Sequence, residues 1–370
     1  MNSFAVRGPI VSTLAALLAC SPVDIVAVPL PSGAIGDAGA PVCAYGPAAD
    51  GGESGVGFER ALCTCDAFSS DSDLHVDGFD RRRGPYRPDA GDGAVPASVG
   101  VNREIGLSGS GTITGDLVAA DGGISLGPGD LDVGGKLAVG GPLEGASSAI
   151  HVAGDAEVSG RIEVSSLAIG GTLTQPDGAS LDVSGDARYG AMRSADVLVD
   201  PPCSCDDGAL FDVSARVQAR ASSATSLAAN ATIAGDACRE YVLAAHTLDS
   251  LHIQAERSAA IYVPGSLHVM NDFVLESAPG VQVDFFIEDE LSVDGQIQIG
   301  DDSDATRLYV GGAGTFPIMG GGQIHAAVYA PRAELVLSAE LDVFGALFLR
   351  RVAATAPLVV HYDAQVAAAR

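Results

Sequence analysis

The sequence predicts an all-β fold, a single-stranded parallel β-helix (solenoid), and two observations in residues 106–192 lead to it. First, a glycine-containing phrase recurs at intervals of 14 to 20 residues, which is a typical length for one solenoid turn. Second, apolar and polar residues alternate between the copies, so every other side chain points to one side of a strand. One such turn cannot bury its own apolar side, and stacking on the next turn must do so. The copies are Gly115-Asp116-Leu117, Gly135-Lys136-Leu137, Gly154-Asp155-Ala156, Gly171-Thr172-Leu173 and Gly185-Asp186-Ala187.

Small and branched residues occupy the positions that should face the core of this first block. Glycine and aspartate stand at the breaks between strands, where turns need a positive φ or a side-chain-to-backbone hydrogen bond. A β-sandwich of hairpins stays open as an alternative, because Asp121-Gly122 and Asp177-Gly178 are typical of hairpin turns. The predicted inward residues are Leu107, Ile113, Leu117, Ile124, Leu131, Val133, Leu137 and Val139.

Composition agrees with thin stacked turns and restricts the classes of function. The 370 residues include 47 glycines, no tryptophan and 5% aromatic residues, which suits small inward side chains better than a bulky globular core. The net charge is −27, and Lys136 is the single lysine. Because nucleic acids and anionic lipid surfaces attract basic proteins, this acidity argues against charge-driven binding to either.

Residues 1–19 have the pattern of a secretory signal peptide. Arg7 precedes an apolar run from Ile10 to Ala19, which is too short for a helix that spans a membrane. The run ends in Leu17-Leu18-Ala19-Cys20, which resembles the bacterial lipobox. That resemblance implies lipidation of Cys20, for example with palmitate, and Ser21 after it implies the outer membrane or cell surface. An ordinary signal peptide with Cys20 incidental is the alternative.

Six cysteines remain after Cys20, in two clusters of three. An even number in an exported chain predicts three disulfides. Since each cluster has an odd count, complete pairing requires at least one bridge between the clusters, which would fix the N-terminal segment to the middle of the solenoid. A zinc site made of two Cys-x-Cys pairs stays open, although structural zinc sites usually have Cys-x₂₋₄-Cys spacing. The six are Cys43, Cys63, Cys65, Cys203, Cys205 and Cys238.

The chain is predicted to have five parts, of which residues 1–19 are the signal peptide. Residues 20–100 form an irregular tether, which includes Asp71 to Gly78 as a solvated turn and Arg81 to Arg83 as a polar linker. Residues 101–200 form the first solenoid block, and 238–367 form a second block with a period near 24. The insertion between them, 201–237, contains one short helix over 207–221, with Asp206 and Asp207 as N-cap candidates.

Residues 106–192, with their Gly-Asp-Leu rhythm, are similar to bactofilins and related polymer-forming β-helical proteins. This resemblance implies right-handed turns and end-to-end assembly, although the signal peptide and cysteines are not typical of that family. The second half resembles an uncharacterised bacterial cell-envelope domain, which implies a fold and a location but no chemistry. The phrases that carry the second resemblance are Pro202-Cys203-Ser204-Cys205, Val328-Tyr329-Ala330-Pro331, Phe344-Gly345-Ala346 and His361-Tyr362-Asp363.

No nucleophile elbow, metalloprotease helix or complete phosphate loop is present in the sequence. A glycan hydrolase would need two carboxylates flanking the scissile bond, and a lyase would want a basic residue beside calcium. Surface acids of a turn-rich fold are the simpler interpretation, as are packing and a terminal hydrogen bond for His361 and Tyr362 at the edge of the last strand. The candidates are Asp272, Asp284, Glu288, Asp289, Glu290 and Asp294 with Arg307, and Asp301, Asp302 and Asp304 for calcium.

The sequence therefore predicts a non-catalytic surface lipoprotein that serves as a structural, adhesive or partner-binding module of the envelope. We expect no cofactor. The expected partners are the membrane, through the lipid, and envelope proteins or glycans, with nucleic acids excluded. A carbohydrate-active β-helix and a scaffold that polymerises through its ends stay open as alternatives.

Overall fold

The structure is a computed structural model that describes residues 43, 58–88, 95–300 and 306–365. The chain divides into two units, Met1–Gly39 and Ala40–Arg370, and every described residue belongs to the second. That unit is a parallel β-solenoid of about 13 turns with one α-helix in its described part. The predicted all-β parallel solenoid is confirmed. A sandwich of hairpins is excluded because the strands pair in parallel.

Fifteen strands precede the helix and form the N-terminal block. A 3-10 turn, Arg81–Arg83, follows the third of them. The strands are β1 (Leu62–Thr64), β2 (Phe68–Ser70), β3 (Leu74–Phe79), β4 (Val99–Val101), β5 (Glu104–Leu107), β6 (Gly111–Ile113), β7 (Leu117–Ala119), β8 (Gly123–Leu126), β9 (Leu131–Val133), β10 (Leu137–Val139), β11 (Leu143–Val152), β12 (Ala156–Val158), β13 (Ile162–Gln175), β14 (Leu181–Val183) and β15 (Ala187–Ser194).

Helix α1 (Val213–Arg220) separates this block from the C-terminal block. The strands of the C-terminal block are β16 (Thr225–Ser226), β17 (Asn230–Ile233), β18 (Arg239–Val242), β19 (Thr247–Leu248), β20 (Leu251–Ala255), β21 (Ala259–Val263), β22 (Leu267–Val269), β23 (Phe273–Ser277), β24 (Val283–Ile287), β25 (Leu291–Val293), β26 (Ile297–Ile299), β27 (Thr306–Val310), β28 (Thr315–Ile318), β29 (Gly322–Ile324), β30 (Ala326–Leu337), β31 (Leu341–Ala354) and β32 (Leu358–Asp363).

Each turn contributes strands to three faces, which we call A, B and C after β1, β2 and β3. In the N-terminal block, β4, β7 and β10 stack on β1 to form face A, β5 and β8 stack on β2 to form face B, and β6 and β9 stack on β3 to form face C. Longer strands such as β13 bend round the corners and contribute to more than one face. All eight predicted inward residues of this block are buried. The alternation of the sequence therefore places each apolar side chain inside the rod.

The Gly-Asp-Leu phrase forms the corner where face C meets face A. The Asp116 carboxylate accepts the backbone N–H of Lys136 on the next turn at 2.7 Å, and the Asp155 carboxylate accepts that of Thr172 at 2.7 Å. Glycine precedes the aspartate because neighbouring turns approach closely there: a Cβ on Gly154 would lie 2.7 Å from the carbonyl oxygen of Gly135. The phrase thus supplies both the close approach and a polar link between turns.

We expect Gly154→Ala to destabilise the rod by about 1–3 kcal/mol, because the new methyl group meets backbone that cannot move without shifting a whole turn. Gly106→Ala is the matched control, since a Cβ at Gly106 meets nothing within 4 Å. Urea unfolding followed by circular dichroism measures both. Equal midpoints for the two variants would contradict this account of the corner glycine.

The two blocks stack into one rod in an order that differs from their order in the chain. Strand β31 pairs with β1 and β2, and β32 pairs with β3, so the last turn of the C-terminal block lies directly on the first turn of the N-terminal block. The other side of that first turn carries β4, β5 and β6. The rod therefore runs from β16 to β32 and then from β1 to β15. We call the junction of the two blocks the seam.

The seam corrects three sequence predictions. Residues 62–79, expected in an irregular tether, form a complete turn, and the Asp71 to Gly78 segment contains strand β3 instead of a solvated turn. Strand β32 is not an edge strand, because β31 and β3 pair with its two sides. The reason is the same in each case: a turn that looks isolated in the sequence gains a neighbour that is distant in the chain.

Residues 195–212, which we call the strap, return the chain from the last turn of the N-terminal block toward the first turns of the C-terminal block. This path crosses roughly ten turns, or about 48 Å at 4.8 Å per strand, and about 18 extended residues can span about 60 Å. Two disulfides fix the strap to β1 and the residue after it: Cys63–Cys203 and Cys65–Cys205. Asn102 adds a reciprocal pair of hydrogen bonds with the Cys203 backbone, both 2.9 Å long.

The third disulfide, Cys43–Cys238, joins the N-terminal segment to the start of the C-terminal block. All six predicted cysteines are therefore paired, and all three bridges connect the two clusters. The sulfur atoms bond to each other, which excludes the alternative of a zinc site.

Three disulfides in one chain indicate an oxidising, extracytoplasmic compartment. In the described part of the chain, no helix has the length and apolar character needed to cross a membrane.

Helix α1 begins later than predicted. Its N-cap is Asp212, whose carboxylate accepts the Ala215 N–H at 2.9 Å, while the predicted caps Asp206 and Asp207 lie in the strap. Val213 and Val217 are buried, and the helix packs on β21 and β24. It covers the outer side of face A. The residues before it form a separate turn, in which the Asp206 carbonyl accepts the backbone N–H groups of Ala209 at 2.8 Å and Leu210 at 3.2 Å.

Candidate functional site

The candidate hydrolytic residues lie in strand β24 and in the connections that follow β22, β24 and β25. Asp272, Asp289, Glu290 and Asp294 are exposed. Glu288 accepts the Gly265 backbone N–H at 2.9 Å and an N–H of the Gln218 side chain at 2.7 Å. Its contacts thus anchor helix α1 to the rod.

Asp284 is fully buried and forms two hydrogen bonds with the Arg307 guanidinium, of 2.6 and 2.8 Å. The Gln282 side chain donates to the same carboxylate at 2.9 Å and to the backbone carbonyl of Cys43 at 3.1 Å. Burial alone would lower the pKa of Arg307, but the adjacent Asp284 carboxylate raises it above its usual value. This pair lies on the outer side of face A, and Gln282 links it to the backbone of Cys43.

A ladder of stacked aromatic rings continues beside this pair. Phe286 stacks on Tyr309 with ring centroids 4.6 Å apart, and Tyr329 stacks on Phe348 at 5.4 Å. The strap closes over the ladder through Phe211, whose backbone N–H donates to the Tyr329 hydroxyl at 2.8 Å. Rings on successive turns stack because their strands are in register. The ladder is therefore an outer core, covered by the strap, and not an exposed binding platform.

The seam carries a cluster of histidines around one carboxylate. Asp77 lies 2.6 Å from His361 Nδ1 and 3.3 Å from His75 Nε2, and the Tyr86 hydroxyl donates to it at 2.6 Å. The Tyr86 ring also covers His361, with centroids 3.9 Å apart. No sequence pattern indicated this cluster, because Asp77 and His361 are 284 residues apart.

Electrostatics at the cluster follow from these contacts. Burial acts to raise the pKa of Asp77, but the hydrogen bonds from His361, His75 and Tyr86 prevail and hold it well below its ordinary value. The hydrogen bond to Asp77 raises the pKa of His75. Asp77 and His361 are residue types that also occur in catalytic triads, but the likeness ends there. The Asp77 carboxylate is shared by three donors, and these donors join the two blocks.

We expect Asp77→Asn to reduce the free energy of unfolding by about 2–3 kcal/mol near pH 5–6, the cost of hydrogen bonds to a charged group. The pKa of Asp77 is lowered, so its stabilisation is present above about pH 4 and is lost as the pH falls. The pKa of His75 is raised, so its stabilisation is present below about pH 6.5 and is lost as the pH rises. The wild-type-minus-variant difference in urea midpoint should peak between these limits.

Asp342→Asn is the control for this measurement, because Asp342 lies on the outer side of face C two turns from His75. Its midpoint should follow the wild-type pH profile. If the difference in urea midpoint between the wild type and Asp77→Asn does not change from pH 3 to pH 8, the cluster does not stabilise the seam.

A shallow groove of about 540 Å³ runs along face C of the N-terminal block, from Thr112 to Arg188. Its floor is made of small residues such as Gly134 and Gly170. His151 and Asp132 on its rim approach to 3.4 Å, with both side chains more than half exposed. Solvent screens such a pair, so the groove offers shape and length but no buried polar group for a ligand.

The rod ends in a turn that no other described turn covers. We call the residues of this turn, 177–194, together with Leu198 in the strap, the open end. Tyr189 and Met192 occupy the inward positions above Ile169 and Leu173. Ile169 and Leu173 are 5% and 0% exposed, whereas Tyr189 and Met192 are 38% and 51% exposed. Core-type side chains thus face solvent at this end of the rod.

The backbone of the open end is also available. Strands β14 and β15 pair with β13 on one side, and no other described strand pairs with their opposite side. All eight residues of β15 are exposed. An uncovered strand of this length is a template for pairing with another chain. The open end is therefore the candidate functional site, and the sequence signal for it was the last copy of the repeat, after which no further copy follows.

The remaining predicted sites lie outside the described residues. They are Cys20 for lipidation and Asp301, Asp302 and Asp304 for calcium. Within the described ranges, no group of three or more His, Cys, Asp or Glu side chains is placed to hold a metal ion. Lipidation and calcium binding stay predictions.

Comparison with known proteins adds one match. Neither the curated proteins nor the solved structures contain a significant match to this chain. Residues 206–369 match the model of a family described as a domain of unknown function (DUF7305). These residues include the end of the strap, helix α1 and the whole C-terminal block as far as the seam. Somewhat less than half of the chain is therefore similar to a family of unknown function.

Proposed function

We propose that this protein is a non-catalytic structural and partner-binding module of the bacterial cell envelope, held at the outer membrane or cell surface by a lipid on Cys20. The observation that carries the binding role is the open end, where Tyr189 and Met192 expose side chains at core positions. Burying such side chains is favourable by about 25 cal/mol per Å², and a patch of this kind usually marks an interaction site. Three disulfides support an address outside the cytoplasm.

Photo-crosslinking in intact cells tests the binding role. A photoreactive phenylalanine analogue is placed at Met192 or at Met270, which is 44% exposed on the side of the rod. A discrete cross-linked product is expected at position 192 and none at position 270. Equal products at both positions, or none at either, would refute a docking surface at the open end.

Metabolic labelling with radioactive palmitate tests the address. The wild-type chain should become labelled and sediment with the outer membrane, while Cys20→Ala should stay unlabelled. Labelling of both chains, or of neither, would remove the lipid anchor from the proposal without affecting the crosslinking result.

Glycan binding in the face C groove is a second candidate, favoured by the extent of the groove from Thr112 to Arg188. A glycan array with the purified chain, together with a reducing-sugar assay, separates binding from turnover. Binding that is lost in His151→Ala, at the rim of the groove, would favour this candidate. Turnover of a glycan by the purified chain would replace the non-catalytic proposal by an enzyme.

A further inference from the structure

The two ends of the rod differ in chemistry. At the open end, Tyr189 and Met192 expose large apolar side chains at inward positions. At the opposite end, the first turn has Thr225 and Ala231 at the corresponding inward positions, beneath Tyr241 and Ile253. None of the large apolar side chains exposed in the described part of the chain belongs to that first turn. Only one end therefore gains substantially from being covered.

We propose that the open end binds the open end of a second copy about a two-fold axis, giving a dimer of rods that does not extend into a filament. This inference rests on the proposed function of the open end and names its partner. Stacking of one rod on the opposite end of the next would leave these side chains against Thr225 and Ala231, because the larger apolar residues of that turn, Leu227 and Ile233, are already buried. A two-fold contact instead places the same apolar patch on both sides and is closed after two copies.

Charge at the open end is compatible with such a contact. The chain as a whole carries 47 acidic and 20 basic residues, and most of its surface repels another copy. The outward row of the last turn is mixed: Arg188 and Arg193 are basic, while Asp182 and Asp186 are acidic. Because a two-fold axis reverses the order of these residues on the partner, basic positions can face acidic ones. The exposed strand edges of β14 and β15 add backbone hydrogen bonds.

The size of the surface sets the expected affinity. A turn of the rod has three short stretches of strand, which extend about 3.3 Å per residue, and packed sheets are about 10 Å apart. From these dimensions, the open end covers roughly 400–500 Å² per copy. The dimer would therefore bury about 900 Å² in total, which is at the low end for a specific interface. We expect dissociation constants of about 1–100 μM, so that dimers form at high local concentration, as on a membrane.

Sedimentation velocity of the full chain over about 1–200 μM tests the proposal. The wild type is expected to shift from monomer to dimer and to show no larger species. Met192→Arg should weaken dimerisation at least about tenfold, since two like charges meet at the contact. Met270→Arg, on the side of the rod, is the matched control and should dimerise as the wild type does. Circular dichroism and a thiol assay establish that both variants keep the fold and the disulfides.

Electron microscopy provides the second readout. Single rods should measure about 60 Å and dimers about twice that length, from about 13 turns at 4.8 Å. Monomers at every concentration, unchanged dimers in Met192→Arg, or filaments would each overturn the inference. Cross-linking of Met192 to a different envelope protein, with no product between two copies, would overturn the dimer while the proposed docking function stands.

Discussion

Removing Cys63 and Cys65 together is expected to destabilise the protein by about 6 kcal/mol, whereas removing either one alone should cost only about 2 kcal/mol. Both bridges close the same loop, since each joins residues 140 apart in the sequence. When one remains, the other closes only a ring of about six residues. When both are lost, the strap is released from the seam.

The size of the larger effect depends on the third bridge. With Cys43–Cys238 intact, the shortest path between Cys63 and Cys203 runs through about 20 residues on one side and about 35 on the other. Closing a loop of about 55 residues removes about 4 kcal/mol of conformational freedom from the unfolded chain, and the small ring adds about 2 kcal/mol.

Urea unfolding under oxidising conditions measures Cys63→Ala, Cys65→Ala and the double variant, with identical treatment of the free partner cysteines. The double variant should exceed the sum of the single ones by about 2 kcal/mol. Simple additivity would mean that the two bridges stabilise independent parts of the structure, and that the strap is held by other contacts.

Asp284→Ala is expected to cost about 3–5 kcal/mol, because it leaves the Arg307 guanidinium without its carboxylate in a mostly buried position. Asp284 itself is fully buried, and its bidentate contacts measure 2.6 and 2.8 Å. The loss should appear as a lower urea midpoint of the C-terminal block.

The double variant Asp284→Ala with Arg307→Met provides the control. Removing both charges and keeping an apolar side chain of similar length should recover a large part of the lost stability. Glu288→Ala, which loses two hydrogen bonds at a half-buried position, should cost only about 1–2 kcal/mol. A double variant as unstable as Asp284→Ala would show that packing under the N-terminal segment, and not the unpaired charge, determines the effect.

Local features of the fold were predictable because they depend on neighbouring residues. The spacing of Gly115, Gly135 and Gly154 fixed the length of a turn, and alternation placed Leu131 and Val133 inside. In the second block, the expected period near 24 corresponds to the pairing of Tyr262 in β21 with Phe286 in β24. The even number of cysteines in two odd clusters required a bridge between them.

The candidate site was less predictable. Nothing around Tyr189 and Met192 differs from an ordinary turn of the repeat, since their exposure arises only from the absence of a described turn above them. The cluster of Asp77 and His361 was hidden for a related reason: the two residues are 284 apart in the sequence and meet only because β32 lies beside β3. Helix α1 was expected six residues too early, because Asp206 caps a separate turn and Asp212 caps the helix.

By itself, the sequence determined the parallel solenoid, its turn length, its inward residues and its oxidised cysteines, since each follows from period, residue type and parity. Only the tertiary structure decided which turns are neighbours, which cysteines pair and which end stays uncovered. The physical reason is that every turn offers the same backbone hydrogen bonds to whatever turn lies beside it. Stacking order is therefore set by contacts between distant segments, here by the strap, its disulfides and the seam.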